Sequence, residues 1–253
     1  LMKLDILYRT CSRVNTFTGH PRFINVPKSE VIIRCLNSLL NSCSFAQSYD
    51  ISITVLDDNS DEETILALYK LLKKYSNISS KILNIEGTGN GASLKANFEY
   101  ARKNCQELIY FCEDDYLHDS SAIKEMLDTY YEIIKYTENG LLIIHPCDYP
   151  DRYREPYDSL ILPGSKRHWR TVMHTTGTIL LPIQVLENYC DNFIALANYG
   201  IDPKISEDNT INMVYRKIMC ISPIPSLTVH LQYKSTLSPF IDWQKWWDKN
   251  KVY

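Results

Sequence analysis

Through residue 136 the chain repeats one pattern four times: a short apolar run followed by an amphipathic stretch. Residues 4–9, 51–56, 81–85 and 107–112 predict strands, and residues 29–42, 62–75, 92–104 and 120–136 predict helices. In the first helix Val31, Ile32, Cys35, Leu36, Leu39 and Leu40 recur at helical spacing. A strand that is followed by a helix and then by another strand returns to the sheet as a parallel neighbour. The expected class is therefore α/β, a mostly parallel central sheet with helices on both faces. Such sheets bind ligands beyond the carboxyl ends of their strands. Two acidic clusters, Asp57-Asp58 and Glu113-Asp114-Asp115, stand at such ends, so both belong to one edge of the sheet.

After residue 140 the alternation fails. Residues 141–145 and 178–181 predict strands, and 187–197 and 207–217 predict helices. Between the strands, residues 146–170 are rich in Asp, Arg, Tyr and Pro and show little periodicity. A long connection of that kind is often functional. The tail from Pro239 predicts a short aromatic helix holding three of the four Trp. No linker, repeat or low-complexity tract interrupts the chain. One domain is expected over residues 1–253, with a regular half at 1–136, a less regular half at 137–238 and an aromatic tail at 239–253.

Composition removes several function classes. The chain holds 8 Gly in 253 residues, where average usage gives roughly 18. Three of them fall within residues 87–91, without the spacing of a dinucleotide fingerprint. There is no Gly-Lys-Ser or Gly-Lys-Thr phosphate loop and no Gly-x-Ser-x-Gly elbow. With 27 basic and 30 acidic residues and no strongly basic segment, the electrostatic footprint of a nucleic-acid binder is missing. The 8 Cys form no Cys-x-x-Cys and mostly sit in apolar runs, which predicts buried thiols in a reducing compartment. Asp5 interrupts any secretory apolar core, and no apolar run reaches the roughly 20 residues that span a bilayer. A cytoplasmic location is the expectation.

Three acidic spots can carry chemistry, and each has a plain structural alternative. Glu113-Asp114-Asp115 repel one another unless they are solvated or matched by a cation. Hard oxygens of this kind suit Mg²⁺ or Mn²⁺, and an acidic helix start is the alternative. Asp57-Asp58-Asn59-Ser60 ends a strand before a helix. Asn59 or Ser60 reads as its N-cap, which leaves the Asp pair to be explained. Glu207 and Asp208 open a helical stretch, again either as a site or as a cap.

In this order the three spots resemble the GT-A glycosyltransferases, and most of all glycosyltransferase family 2, over roughly residues 4–230. Leu56-Asp57-Asp58-Asn59-Ser60 looks like the family's "DD-x-S" element. That likeness implies that Asp58, with Asp57 beside it, meets the donor base. Cys112-Glu113-Asp114-Asp115 looks like its "DxD" region, read as Glu113-x-Asp115 or as Asp114-Asp115. It implies that Asp115 ligates the metal and that Asp114 contacts the ribose or a second metal position. Ser206-Glu207-Asp208 resembles the "ED" element and implies Asp208 as catalytic base, with Glu207 among the substrate contacts. Residues 91–97, with Gly91 and Lys95, resemble a segment near the nucleotide. Arg9, Thr10 and Arg13 stand where the family contacts base and phosphates. His230 is either a third metal ligand or a surface histidine.

The resemblance implies a metal-dependent (Mn²⁺ or Mg²⁺) inverting transfer of a sugar from a nucleotide-sugar, UDP-linked by preference, to a hydroxyl of a glycan or glycoconjugate. The acceptor site is expected among residues 146–176 and the tail, with His174, Thr175, Thr176 and Gly177 as candidates. Two alternatives stand beside it. A sugar nucleotidyltransferase shares a related fold, but its first loop is usually Gly-rich, whereas Gly19 is the first Gly here. A non-catalytic carbohydrate-binding relative is disfavoured by Asp58, Asp115 and Asp208 standing together. For the Trp-rich tail, packing, sugar stacking and membrane-surface association are the three readings.

Overall fold

The computed structural model describes residues 2–14, 21–86, 89–175 and 177–252. The first half runs β1 (Lys3–Thr10), α1 (Lys28–Ser44), β2 (Asp50–Asp57), α2 (Glu62–Lys74), β3 (Ser79–Asn84), α3 (Asn90–Asn104), β4 (Leu108–Glu113), β5 (Tyr116–His118) and α4 (Ala122–Ile133). The second half adds β6 (Ile143–Ile144), β7 (Ile161–Pro163), β8 (His168–Thr171), β9 (Ile179–Pro182), α5 (Ile183–Asn188) and α6 (Cys190–Leu196). It closes with α7 (Ile211–Tyr215), β10 (Cys220–Ile224), β11 (Thr228–His230) and α8 (Trp243–Lys249).

Among the described residues, nine strands form one sheet in the order β3-β2-β1-β4-β9-β6-β10-β8-β7. Within it β1, β2, β3 and β4 are all parallel, as is the β6–β10 pair, while β9, β8 and β7 join antiparallel. This is the expected α/β arrangement, with its parallel part where the strand–helix repeat is regular. Strands β1 and β4 are buried on both faces, which explains their unbroken apolar sequence. Leu4, Ile6, Tyr8, Leu108 and Tyr110 join one core cluster with α1, α2 and α4. Leu7, Ile109 and Phe111, one residue out of phase, join a second cluster with α3, α5, α6 and α7. Period-two alternation thus sorts the helices onto two faces.

Several elements differ from the sequence expectation. Residues 146–170 are not an unstructured connection: they carry a 3₁₀ turn at Pro150–Tyr153 and the β7–β8 hairpin that edges the sheet. β10 lies centrally in the sheet although its sequence, Cys-Ile-Ser-Pro-Ile, includes Pro223. Proline usually argues against a central strand. Residues 187–197 belong to two helices broken at Tyr189, and of 207–217 only Ile211–Tyr215 is helical. The α2 N-cap is Asp61, whose Oδ1 accepts from the Thr64 amide at 2.8 Å, in place of Asn59 or Ser60. All eight Cys are free thiols, six of them buried. Among the described residues no helix is long and apolar enough to cross a membrane.

The tail packs onto the domain. Trp247 is buried, the Arg34 guanidinium lies 4.3 Å from its ring centroid, and Arg34 Nη1 donates to its carbonyl at 2.9 Å. Trp243 meets Phe23 edge to face at 5.2 Å.

Candidate active site

The parallel register sets the ends of three strands nearly level. Arg9 is opposite both Leu56 and Glu113, and Thr10 is opposite Asp57. Beyond those ends opens a cleft of about 320 Å³ lined by Arg9, Thr10, Asp58, Glu113, Asp114, Asp115, Glu207 and His230, among others. Residues from the start, middle and end of the chain thus share one wall.

Asp58 follows β2, where its amide donates to the Thr10 carbonyl at 2.8 Å. Its Oδ2 accepts the Gly89 amide at 2.8 Å. Gly89 has φ of 92°, a left-handed conformation that a side chain would strain, and it caps α3. Asp57 instead turns inward. Its Oδ2 accepts the Ser60 amide at 2.9 Å and its Oδ1 is buried without a partner, so burial raises its carboxyl above the usual range. Arg9 donates to Asn90 Oδ1 at 2.7 Å, to Ser93 Oγ at 2.8 Å and to Glu113 Oε1 at 2.6 Å.

The acidic triplet spreads over three partners. Asp114 Oδ2 accepts the Cys11 amide at 3.0 Å and Oδ1 pairs with Lys28 Nζ. Asp115 Oδ2 meets Arg22 Nη1 at 2.9 Å, and its Oδ1 faces His230 Nε2 at 3.4 Å. Burial opposes ionisation of Asp115, but His230, Lys28 and Arg22 outweigh it and hold the carboxyl well below the usual range. The two-stranded ribbon of β11 and β5 explains the meeting. It sets His230 opposite Tyr116, and the Leu231 amide donates to the Asp115 carbonyl at 2.9 Å. His230 is buried, not a surface residue, and stacks on Tyr116 with ring centroids 4.5 Å apart. Its Nδ1 lies 3.0 Å from the Tyr149 hydroxyl, which is 2.6 Å from that of Tyr116.

Donor atoms of Glu113, Asp115 and His230 lie within 4.8 Å of one another. Two carboxylates and an imidazole whose second nitrogen is held by a hydrogen bond fit a hard divalent cation. The grouping matches the Glu113-x-Asp115 spacing, while both oxygens of Asp114 are already engaged.

The remaining expected residues divide between the cleft and other places. Lys95 is an exposed residue of α3 beside Glu99 at 3.8 Å. Arg13 is exposed. Gly91 packs against α6: a Cβ there would come within 2.2 Å of the Ala197 carbonyl oxygen. Thr176 lies outside the described residues, as do Gly87 and Thr88 of the Gly cluster. His174 is half-exposed and faces Asp151 at 3.4 Å, Thr175 is buried, and Gly177 lines the cleft. Glu207 and Asp208 diverge. Glu207 lines the cleft, and burial, with Glu113 and Asp208 nearby, raises its carboxyl above the usual glutamate value. The Asp208 side chain is 73% exposed and pairs with Arg216 Nη2 at 3.1 Å. Sequence reasoning missed Arg22, Lys28 and Tyr149. Each is a single residue in a stretch without motif spacing, and only the packed chain brings Arg22 and Lys28 to the triplet and Tyr149 to His230.

A sheet whose parallel half ends in acidic loops over one cleft is the GT-A arrangement, the fold of nucleotide-sugar glycosyltransferases. The family model described as Glycosyl transferase family 2 matches residues 23–193, most of the chain, and the chain belongs to that family. Among solved structures it is similar to S. aureus TarS, at 18% identity and a TM-score of 0.51. That match covers 87% of this chain and 35% of that one. The structure of TarS 1-349 is 16% identical with a TM-score of 0.50, over 92% of this chain and 58% of that one. The chain thus spans little more than half, or less, of the TarS chains it matches. A UDP-glucose pyrophosphorylase complexed with UDP-glucose is 10% identical with a TM-score of 0.51, over 99% and 97% of the two chains. At these identities the likeness is one of fold. No curated protein matches the chain.

Proposed function

We propose that this chain transfers a sugar from a nucleotide-sugar, UDP-linked by preference, to a hydroxyl of a glycan or glycoconjugate, with inversion at the anomeric carbon. The observation that carries the reading is the convergence of Asp58, Glu113, Asp115, His230 and Glu207 on one cleft beyond the parallel strands. Residues 1–136 supply the donor side and residues 137–238 the acceptor side. Asp58 and Thr10 meet the nucleoside, and Arg9 stands between the donor loop at Asn90 and the triplet. Mn²⁺ or Mg²⁺ held by Asp115, His230 and Glu113 would neutralise the charge that builds on the leaving diphosphate. Five carboxylates (Asp58, Glu113, Asp114, Asp115 and Glu207) line the cleft against three cations (Arg9, Arg22 and Lys28), an excess of negative charge that suits a substrate delivered with a cation. The uninterrupted β1 end, without a Gly-rich loop, favours this reading over a nucleotidyltransferase despite the shared fold.

The proton of the acceptor hydroxyl goes to the Glu207–Asp208 pair, a step worth roughly 10²–10⁴ in rate. The resemblance points to Asp208, while the cleft position and raised carboxyl of Glu207 favour Glu207. Separate Glu207→Gln and Asp208→Asn variants distinguish them. The base variant loses transfer about 10²-fold or more with UDP binding retained, measured by product formation from a panel of UDP-sugars and by calorimetry. If both variants stay fully active, neither carboxylate is the base and the proposed mechanism fails.

A further inference from the structure

Every carboxylate of the triplet is matched by a cation from a different segment: Glu113 by Arg9, Asp114 by Lys28 and Asp115 by Arg22. The Lys28–Asp114 pair is structural, because Asp114 also fixes the Cys11 amide. Arg22 differs. Its Nη1 lies on Asp115 Oδ2, the oxygen opposite the one facing His230, and also donates to the Leu231 carbonyl at 2.9 Å. Arg22 is among the residues that line the cleft. The next residue, Phe23, is clamped by Trp243 of the tail helix. Phe23, Ile24 and Val26 pack with Val31, Leu231 and Trp247 in a separate apolar cluster. The backbone is therefore anchored, and the charged end stands on a carboxylate that a divalent cation needs.

We propose that Arg22 is an exchangeable counter-ion: it compensates Asp115, competes with a divalent cation for that carboxylate, and on release donates to the diphosphate that arrives with the cation. This rests on the metal–nucleotide reading of the cleft. A buried carboxylate needs a partner at all times. A guanidinium and a divalent cation repel when they share one carboxylate. A planar guanidinium also matches phosphate oxygens in a bidentate way. The cation therefore binds weakly alone and tightly with the nucleotide, and by linkage the reverse holds too.

Calorimetric titration of the full chain tests this with Mn²⁺ alone, UDP alone and Mn²⁺ in the presence of UDP. Arg22→Gln is expected to bind Mn²⁺ alone about tenfold tighter, the effect of removing one competing unit charge at this range. It is expected to bind UDP with Mn²⁺ about tenfold weaker, as one charge-assisted phosphate contact is lost. Unchanged Mn²⁺ affinity in folded Arg22→Gln overturns the proposal. Should that variant fail to fold, Arg22→Lys serves: its point charge should give a smaller shift in the same two directions, and affinities equal to wild type overturn the proposal. Asp115→Asn separates the two levels of inference. If it binds Mn²⁺ as wild type does, the metal reading of the cleft falls and the Arg22 proposal with it. If it loses Mn²⁺ while Arg22→Gln is unchanged, only the Arg22 proposal falls.

Discussion

Histidine 118 is expected to make this fold acid-labile in a calculable way. It sits on β5 with 2% of its surface exposed. Its Nδ1 is 2.9 Å from the Tyr116 carbonyl, which only accepts, so Nδ1 carries the proton. Nε2 then accepts from the Tyr110 hydroxyl at 2.9 Å. Protonating Nε2 would reverse that bond and place a charge in the core. Burial accordingly pushes the imidazole down to about 3, although the Tyr116 carbonyl and Asp119 pull the other way. In the unfolded chain the value is about 6.5. Between those values the unfolded state binds the extra proton, so stability is complete above pH 6.5 and is lost as pH falls toward 3. Each pH unit is worth about 1.4 kcal/mol, for a total of about 5 kcal/mol. That is comparable to the whole stability of a marginal domain, about 5–15 kcal/mol. The assay is urea unfolding followed by tryptophan fluorescence at pH 7, 6 and 5, for wild type and His118→Gln. The variant should be less stable at pH 7 by about 1–3 kcal/mol, from the disturbed buried hydrogen bonds. The gap should shrink by about 2 kcal/mol by pH 5 because only the wild type carries this titration. A difference that stays constant from pH 7 to pH 5 would refute a neutral, buried His118.

Two further outcomes follow from local geometry. Asp61→Ala should cost about 0.5–2 kcal/mol in the same unfolding assay, since it removes the α2 cap at the Thr64 amide. The Ser12 hydroxyl and that amide lower the Asp61 carboxyl to about 2. The cap therefore holds at neutral pH and weakens as pH falls from about 4 toward that value, so unchanged stability at pH 7 would contradict it. Gly91→Ala should destabilise by about 1–3 kcal/mol through overpacking, because the new methyl meets the Ala197 backbone oxygen. A melting temperature equal to wild type would show that α3 and α6 are not so closely apposed.

How much was readable in advance varies along the chain. In the first half, burial on both faces of β1, β2 and β4 and on one face of each helix writes the period directly into the residues. The strand ends at Asp57 and Glu113 could thus be read to within a residue. In the second half the strands are two to five residues long and interrupted by Pro, Arg and His. Their place in the sheet comes from neighbours distant in sequence, as when β10 lies between β6 and β8. The 207–217 pattern looked like one helix because Ile211, Val214 and Tyr215 keep helical spacing, but Glu207 and Asp208 precede it in turns. That one difference sends the two carboxylates in separate directions.

Strand–helix alternation and strand-end carboxylates are local in the chain, so the parallel α/β core, the edge on which the acidic loops stand and the family resemblance are legible in the residues alone. Which charges meet depends on the packing of distant elements. His230 reaches Asp115 because β11 pairs with β5, and Arg22 reaches it because the tail clamps Phe23. Glu207 takes the cleft position and Asp208 the solvent. Such pairings span about a hundred residues or more of chain. They are set by the shared burial of elements that carry no mark of one another in the sequence.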